Sequence, residues 1–283
     1  MRALVSPRAG VVEMKTIRKR LALNAHRVLF SVVSPGTERA FIHGTAASAV
    51  WPYRPGYSAC TRQKNGTIWA VRCPHASNWE PFTGEWATPV PSGVRPHDAA
   101  FTTLGQVAIQ AVRRAEPYDG EPVTVVGGGL VGMMIAAVAH AQGHPARLIH
   151  ALSPSTYRQS NDQQNRVIEA SGTAQGFSLA LRLVARRGTL VIAGSHRRDY
   201  LFSPYGFHKK QARMIGAWAN GDSDQEKQSD EALFLRLVAA KKIFPMALAN
   251  HRTVPWRKAL PAYRAMLRHE GPRGALVIDW RGA

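Results

Sequence analysis

The stretch that decides the fold is EPVTVVGGGLVGMMI, residues 121–135. Its first half is a short β-branched run, typical of a buried strand. The apolar, Ala-rich residues 130–141 that follow are typical of a helix packed on a sheet. The turn between the two carries Gly127, Gly129 and Gly132 at the spacing G-x-G-x-x-G. This succession of strand, glycine turn and helix predicts an α/β domain.

The three glycines each have a physical role in such a turn. Gly127 lets the chain turn tightly, Gly129 lets the backbone come close to a pyrophosphate, and Gly132 lets the helix lie against the strand. The positive end of the helix, at Leu130 and Val131, then faces the phosphates. We therefore expect these five residues to bind a dinucleotide, with a plain glycine-rich turn as the alternative.

The composition is that of a globular protein with an unusual charge. Hydrophobic residues make up 45% of the 283 residues, which is enough to build one large domain or two. Lys and Arg number 37 against 18 Asp and Glu, and the net charge of +19 predicts attraction to anions, including nucleic acid. The basic residues are nevertheless scattered, without a basic tail, a zinc-finger spacing or an RNA-binding aromatic signature. A solvated basic surface is therefore favoured over nucleic-acid binding.

Two further features of the sequence bear on cellular location. Cys60 and Cys73 are the only cysteines, too few for a disulfide framework or a four-cysteine zinc lobe. No apolar stretch approaches the length needed to cross a bilayer, and residues 1–7 lack a signal-peptide core. We expect a cytoplasmic protein without a membrane segment.

Strands and helices alternate in the middle of the chain, between β-rich ends. The strands predicted there cover residues 123–126, 146–152, 166–172, 189–194 and 214–218. The helices predicted from residue 96 onward cover residues 96–115, 130–141, 177–185, 230–241 and 254–268, and the chain ends on a strand at 274–280. This order predicts a doubly wound parallel sheet inserted between the parts of a second domain.

Seven short motifs, in order along the chain, resemble those of one protein family. They are SPGTE (34–38), PGYSA (55–59), AAFTTLG (99–105), the glycine turn, IEASG (168–172), LVIAGS (190–195) and IGAW (215–218). Together they resemble the medium-chain dehydrogenase/reductase superfamily, in its zinc-type alcohol dehydrogenase-like branch. The ending LVIDWR (276–281) is also similar to the bacteriochlorophyllide dehydrogenases of that superfamily. The resemblance implies a Rossmann domain over residues 113–245, inserted into a β-rich, GroES-like catalytic domain made of residues 1–112 and 246–283.

The sequence departs from this family at the catalytic zinc. The three positions that align with the family's zinc ligands hold Pro35, Tyr57 and Thr103. Proline has no side-chain donor, and neutral tyrosine and threonine are poor partners for zinc. A replacement site is not indicated by the spacing of the remaining candidates, which are His43, Cys60, Cys73 and His75. We therefore expect an enzyme without a metal.

A second departure shortens the Rossmann half. Where the family has a helix, a strand and another helix after the second strand, this chain has only the polar residues 153–165. A crossover needs at least about 10–12 residues, so one connection fits and an additional strand does not. The second strand then becomes a sheet edge, whose exposed backbone is a candidate for pairing two subunits. We therefore expect a homodimer.

The end of the second strand also bears on the choice of coenzyme. An acidic residue there would bind an adenosine ribose and favour NAD. The position lies near Ala151 and holds no carboxylate, whereas Ser153 and Arg158 offer a hydroxyl and a guanidinium for a 2′-phosphate. This favours NADP, with NAD still possible, and a solvated Arg158 in a degenerate site is the alternative.

The nicotinamide end of the coenzyme is expected at the carboxyl ends of the later strands. Open α/β sheets bind their ligands at that edge. The residues expected there are Ser171, Gly194 and Ser195, together with Thr103. With a nicotinamide present, the predicted reaction is hydride transfer to or from a carbonyl or an activated alkene.

Without a metal, the oxygen of the substrate needs another source of a proton. The resemblance implies that the hydroxyl of Thr37 relays a proton, and Tyr57 stands where the family has a metal-binding histidine. The Tyr57 phenol could act as the general acid, with aromatic packing as its alternative. The resemblance also implies that Glu38 orients that histidine, whereas capping a helix or bonding Arg39 are its alternatives.

Three functions from different classes remain open on these grounds. The favoured one is a zinc-independent, NADP-preferring oxidoreductase of a biosynthetic pathway, acting on a small or medium substrate that the net charge predicts to be anionic. The second is a non-catalytic protein of dehydrogenase fold that binds a nucleotide or a protein partner. The third, supported by net charge alone, is a nucleic-acid binder.

Overall fold

A computed structural model of the chain describes residues 1–18, 20–81, 87–150, 163–197, 199–248, 252–270 and 274–283. It divides into two compact units. Unit 1 comprises Met1–Thr103 and Glu231–Ala283, and unit 2 comprises Leu104–Asp230. Unit 2 is therefore an insertion in the chain of unit 1.

Unit 1 is the β-rich unit. Its strands are β1 (Arg2–Val5), β2 (Glu13–Thr16), β3 (His26–Val33), β4 (Ala59–Arg62), β5 (Ile68–Val71), β6 (Asn78–Trp79), β7 (Ala87–Pro89) and, after unit 2, β13 (Arg252–Pro255) and β14 (Leu276–Asp279). A mostly antiparallel sheet has the order β13-β14-β3-β4-β5-β7, with β6 also paired to β3, and β1 pairs with β2 separately. Strand β3 lies inside this sheet and is buried at every position except Arg27, which makes it the centre of the core.

Unit 2 contains a five-stranded, fully parallel sheet in its described part. Its strands are β8 (Val123–Val126), β9 (Ala146–Ile149), β10 (Gln164–Glu169), β11 (Val184–Ile192) and β12 (Arg213–Gly216), in the order β12-β11-β10-β8-β9. The five predicted strands are all present. Among the strands of the described residues, β9 forms one edge of this sheet, which agrees with the edge position predicted for it. Unit 2, with its helices and parallel sheet, is inserted into the chain of the β-rich unit 1. This arrangement confirms the predicted fold class, a shortened Rossmann sheet inserted into a GroES-like domain.

The helices follow the predicted order with different ends. They are α1 (Pro35–Ile42), α2 (Pro96–Ala99), α3 (Thr102–Ala115), α4 (Leu130–Ala141), α5 (Ala174–Leu183), α6 (Pro204–Lys210), α7 (Asp224–Ala239), α8 (Pro245–Leu248) and α9 (Trp256–Leu267). None of the helices in the described ranges is both long enough and apolar enough to cross a membrane.

Three predicted helix boundaries are wrong, each for a local reason. Helix α7 begins six residues before Asp230, because Ser223 and Glu226 form a reciprocal capping box (Glu226 N–H to Ser223 Oγ, 3.2 Å; Ser223 N–H to Glu226 Oε2, 2.8 Å). Helix α5 ends at Leu183, and the chain enters β11 directly at Val184, a β-branched residue. Val254 belongs to strand β13 and pairs with Ile278, so α9 starts only after Pro255.

Candidate functional site

The glycine turn of unit 2 has the geometry that its spacing predicts. Gly127 has φ +124, and a Cβ there would lie 2.6 Å from the Ser171 nitrogen. A Cβ on Gly132 would lie 1.8 Å from the Gly127 oxygen, so helix α4 contacts the turn backbone directly. A Cβ on Gly129 would meet no atom of the described residues within 4 Å, and the backbone of Gly129 is exposed there. The turn therefore combines two positions that only glycine fits with one where a ligand has room.

The start of helix α4 supplies hydrogen-bond donors at the same place. Gly129 precedes the helix, and the first backbone N–H bonded to a carbonyl of this segment is that of Met133, to Gly129 (2.9 Å). The N–H groups of Leu130, Val131 and Gly132 precede that bond and are the unpaired donors of a helix N-terminus. Such donors, together with the helix dipole, fit a phosphate group.

The histidine at the end of strand β9 is a residue that the sequence reasoning missed. Val126 pairs with Ile149, so His150 stands level with the glycine turn. A Cβ on Gly128 would lie 2.1 Å from the His150 ring, which shows that the imidazole packs on that glycine. The pairing register of β8 and β9 was the missing information, because it places His150 beside the turn. Ser153 and Arg158, predicted to hold a 2′-phosphate, lie outside the described residues.

A buried carboxylate organises the carboxyl ends of strands β10 and β11. Glu169 is fully buried, and its Oε1 accepts hydrogen bonds from the N–H groups of Ser171 (2.8 Å) and Gly172 (3.1 Å) as well as from the Ser171 hydroxyl. Its Oε2 lies 2.7 Å from His196 Nε2. A Cβ on Gly194 would be 2.5 Å from the Gly172 nitrogen, so the two loops are in close contact. Glu169 stands inside the IEASG motif, whereas nothing in the sequence pointed to His196.

These contacts determine what the predicted nicotinamide-binding residues can offer. The Ser171 hydroxyl is engaged with Glu169, and Ser195 is exposed beside Gly194. Thr103 is buried near the start of helix α3 and belongs to unit 1. The structure therefore brings Ser171, Gly194 and Ser195 together, while their contact with a coenzyme stays a prediction.

In unit 1 a second buried carboxylate stands next to Thr37. Glu38 on helix α1 is fully buried, and its Oε1 accepts the N–H of Ser34 at 2.8 Å. Its Oε2 accepts hydrogen bonds from Tyr263 Oη (2.5 Å) and His75 Nε2 (2.9 Å). Glu38 was alternatively expected to bond Arg39. The structure shows another partner for this arginine, because Arg39 Nε donates to the Pro35 carbonyl (3.1 Å).

The Tyr57 phenol lies within reach of the hydroxyl groups of this turn. Its side chain is half-buried, and the side chains of Ser34 and Thr37 lie close enough to affect its pKa. Burial raises the pKa of Tyr57, the Ser34 and Thr37 hydroxyl groups lower it, and the nearby Glu38 charge raises it, so the net shift is upward. The structure therefore brings Tyr57, Thr37 and Glu38 together, with the phenol held in its protonated form.

The residues that could replace the family's zinc ligands are already engaged or unsuitable. The two ring nitrogens of His75 lie 2.8 Å from Ser31 Oγ and 2.9 Å from Glu38, which leaves neither for a metal. Cys60 and Cys73 are buried thiols that are not joined in a disulfide, and burial raises the pKa of Cys60 to about 12. Within the ranges that the structure describes, no group of three or more His, Cys, Asp or Glu side chains could hold a metal ion. The donors present do not fit a catalytic zinc.

Comparison with known proteins gives a dehydrogenase and a reductase as relatives. No protein-family model matches the chain. L-galactonate-5-dehydrogenase from Escherichia coli (strain K12) is 32% identical over 186 residues, which are 56% of this chain and 52% of that protein. The chain spans about half the length of the curated relatives it matches.

The solved structures with a similar fold are dehydrogenases as well. Galactitol-1-phosphate dehydrogenase from Escherichia coli has a TM-score of 0.82 at 16% identity, over 99% of this chain and 100% of that chain. A zinc-binding dehydrogenase structure from Sinorhizobium meliloti 1021, bound to NADP, has a TM-score of 0.81 at 14% identity, over 98% of each chain. An alcohol dehydrogenase from Escherichia coli CFT073, complexed with NADH, has a TM-score of 0.77 at 11% identity, over 99% of each chain. At such identities these likenesses show the fold.

Relatives and structural neighbours together confirm the resemblance seen in the motifs. The motifs of the chain therefore resemble the zinc-type alcohol dehydrogenase-like branch of the medium-chain dehydrogenase/reductase superfamily, and its fold is that of the dehydrogenase neighbours. The further likeness to bacteriochlorophyllide dehydrogenases stays a prediction.

Proposed function

We propose that the chain is a zinc-independent oxidoreductase that uses a nicotinamide coenzyme, with a preference for NADP. The observation that carries the proposal is the glycine turn, because close backbone packing at Gly127 and Gly132 is combined there with open space at Gly129. Unpaired N–H groups at the start of α4 fit the pyrophosphate of such a coenzyme. Neighbouring structures bound to NADP and to NADH support a nicotinamide coenzyme of either kind.

Preference for NADP rests on the end of strand β9. No carboxylate stands at Ala151, the position where one would bind a ribose hydroxyl, and the neighbouring His150 carries an imidazole. An imidazole does not repel a 2′-phosphate as a carboxylate would. Ser153 and Arg158 complete this part of the proposal from the sequence alone.

A bound nicotinamide coenzyme supplies the hydride in such a reaction. In the reducing direction, the substrate's carbonyl carbon gains a C–H bond as the C=O π bond breaks, and the oxygen takes the phenol proton of Tyr57. The phenolate is then protonated again from water through the hydroxyl of Thr37, so that atoms and charges balance. The Ser34 and Thr37 hydroxyl groups beside Tyr57, together with its raised pKa, support this role because the phenol reaches the substrate with its proton in place.

The substrate class follows from charge and from the relatives. A net charge of +19 attracts anions, and the relative with 32% identity is named for a sugar acid, L-galactonate. We infer a small or medium hydroxyl or carbonyl compound with an acidic group, acted on in a biosynthetic pathway. A cytoplasmic location and a homodimer belong to the same proposal.

Coenzyme titration tests the proposed function. Adding the protein to NADPH should change the coenzyme fluorescence with saturation in the micromolar range, and Gly129→Asp should remove this change because a carboxylate then faces the phosphates. Gly129→Ala is the matched control, since a methyl group at that position meets no atom within 4 Å in the part of the chain that the structure describes. Both variants should keep the thermal midpoint of the wild type.

The possible outcomes of the titration separate the functions. Saturable binding lost only in Gly129→Asp supports the oxidoreductase, and wild-type oxidation of L-galactonate, galactitol 1-phosphate or a related acid then identifies the substrate. Wild-type protein that shows no saturable change below millimolar NADPH or NADH would favour the non-catalytic alternative.

A further inference from the structure

A chain of buried hydrogen bonds in unit 1 ends on Glu38. Trp280 Nε1 donates to Ser31 Oγ at 2.8 Å, and Ser31 Oγ lies 2.8 Å from His75 Nδ1. His75 Nε2 lies 2.9 Å from Glu38 Oε2, which also receives the Tyr263 hydroxyl. All five side chains have 0% exposure, so water cannot replace any of these partners.

The hydrogen bonds of this series can all be donated in the direction of Glu38. An indole N–H can only donate, so Ser31 Oγ accepts from Trp280 and its own hydrogen is available to His75 Nδ1. The proton of the imidazole then resides on Nε2 and is donated to Glu38. Tyr263 Oη and His75 Nε2 therefore both donate to the Glu38 carboxylate.

Burial of the Glu38 carboxylate costs free energy that apolar residues packed in the same volume would not cost. The place of Glu38 in the turn beside Tyr57 offers a functional reason for the carboxylate. Glu38 directly follows Thr37 in helix α1 and holds the N–H of Ser34, so it fixes the turn that carries both hydroxyl partners of Tyr57.

We propose that Tyr263 and His75 are positioning residues for the Tyr57 phenol. They lock the Glu38 carboxylate in place, and Glu38 in turn holds Ser34 and Thr37 against the phenol oxygen. The step served, proton donation by Tyr57, rests on the proposed function. Neither positioning residue touches the substrate in this account, since both are fully buried.

Tyrosine NMR tests the positioning without any turnover. In protein labelled with 13C at the Cζ of its seven tyrosines, the resonance missing from Tyr57→Phe identifies Tyr57. Tyr263→Phe keeps the ring but removes one donor from Glu38, and it should shift the Tyr57 resonance. His75→Gln should shift it as well. Tyr205→Phe, at an exposed position of unit 2, is the matched control and should leave it in place.

Kinetics with a substrate found for the wild type give the second measurement. Tyr263→Phe should lower kcat roughly 10- to 100-fold while KM for NADPH stays nearly unchanged, because the proton donor is displaced and the coenzyme is not. A purely structural role would lower the thermal midpoint and leave kcat unchanged at temperatures where the variant is fully folded.

The two measurements separate the possible failures. If folded Tyr263→Phe leaves the Tyr57 resonance where the control leaves it, the positioning role is wrong whatever the activity. If the resonance moves but the wild type neither binds a nicotinamide coenzyme nor turns over any substrate, the proposed function fails and the positioning of Tyr57 stands.

Discussion

At the scale of single residues, the glycine turn shows how differently three identical residues are constrained. Gly127 is constrained by its left-handed backbone and Gly132 by contact with the Gly127 carbonyl, whereas a Cβ on Gly129 would meet no atom of the described residues. Protein packing therefore explains the first two glycines. A glycine at position 129 is expected instead to make room for a ligand. Substitutions of Gly129 can therefore change ligand binding without changing the stability of the fold.

Substitution of Gly132 should affect folding rather than binding alone. A methyl group at Gly132 would lie 1.8 Å from the Gly127 oxygen, so Gly132→Ala should lower the free energy of unfolding by about 2 kcal/mol or more. This outweighs the ~1 kcal/mol that alanine normally gains over glycine inside a helix. Urea unfolding of Gly132→Ala and Gly129→Ala measures the difference, and equal midpoints for the two variants would contradict the packing account.

At the scale of elements, an ion network joins the end of helix α3 to the start of helix α7 within unit 2. Arg113 lies 2.9 Å from Asp222 and 2.9 Å from Asp230, and 3.3 Å from Glu226. Both aspartates are nearly buried, and burial raises the pKa of Asp230 although its hydrogen bond and ion pair with Arg113 oppose the shift. The network holds together residues more than 100 positions apart in the sequence.

Substitution of Arg113 should lower the free energy of unfolding more than substitution of the neighbouring Arg114. Arg113→Ala leaves two buried carboxylates without their main partner and should lower the free energy of unfolding by about 2–4 kcal/mol. Arg114→Ala removes a single 3.1 Å contact with Asp222 and should cost less than about 1 kcal/mol. Chemical unfolding at low salt compares the two, and a smaller loss for Arg113→Ala than for Arg114→Ala would refute the network as the stabilising element.

At the scale of the whole molecule, unit 1 contains several buried or partly buried phenol and thiol groups. Burial makes each of these groups harder to deprotonate. Burial raises the pKa values of Tyr53, Tyr57, Tyr263 and Cys60 above their ordinary values of about 9–10. Each group binds its proton more tightly in the folded state than in the unfolded state. Their contribution to stability is thus fully present below about pH 9 and is lost as the pH rises through the folded-state values.

Alkaline unfolding is therefore the expected weakness of this protein. The urea midpoint should be nearly constant from pH 7 to 8.5 and fall steeply above pH 10, with a smaller fall in Tyr263→Phe because one titrating group is gone. Tyr205→Phe, whose ring is exposed, should follow the wild type. A wild-type midpoint at pH 10.5 equal to that at pH 8 would show that these groups do not couple to folding.

The sequence by itself determined the parallel sheet, the glycine turn, the edge position of β9 and the family resemblance. All of these depend on residues near one another along the chain, where periodicity and glycine spacing are read directly. Only the tertiary structure revealed the partners of the buried carboxylates, since Glu38 meets Tyr263 across 225 positions and His196 meets Glu169 across 27. It also placed His150 beside Gly128, because strand register is set by pairing rather than by local pattern. The physical reason is that hydrogen bonds and packing join residues brought together by folding, and a linear pattern contains no record of which distant groups will meet.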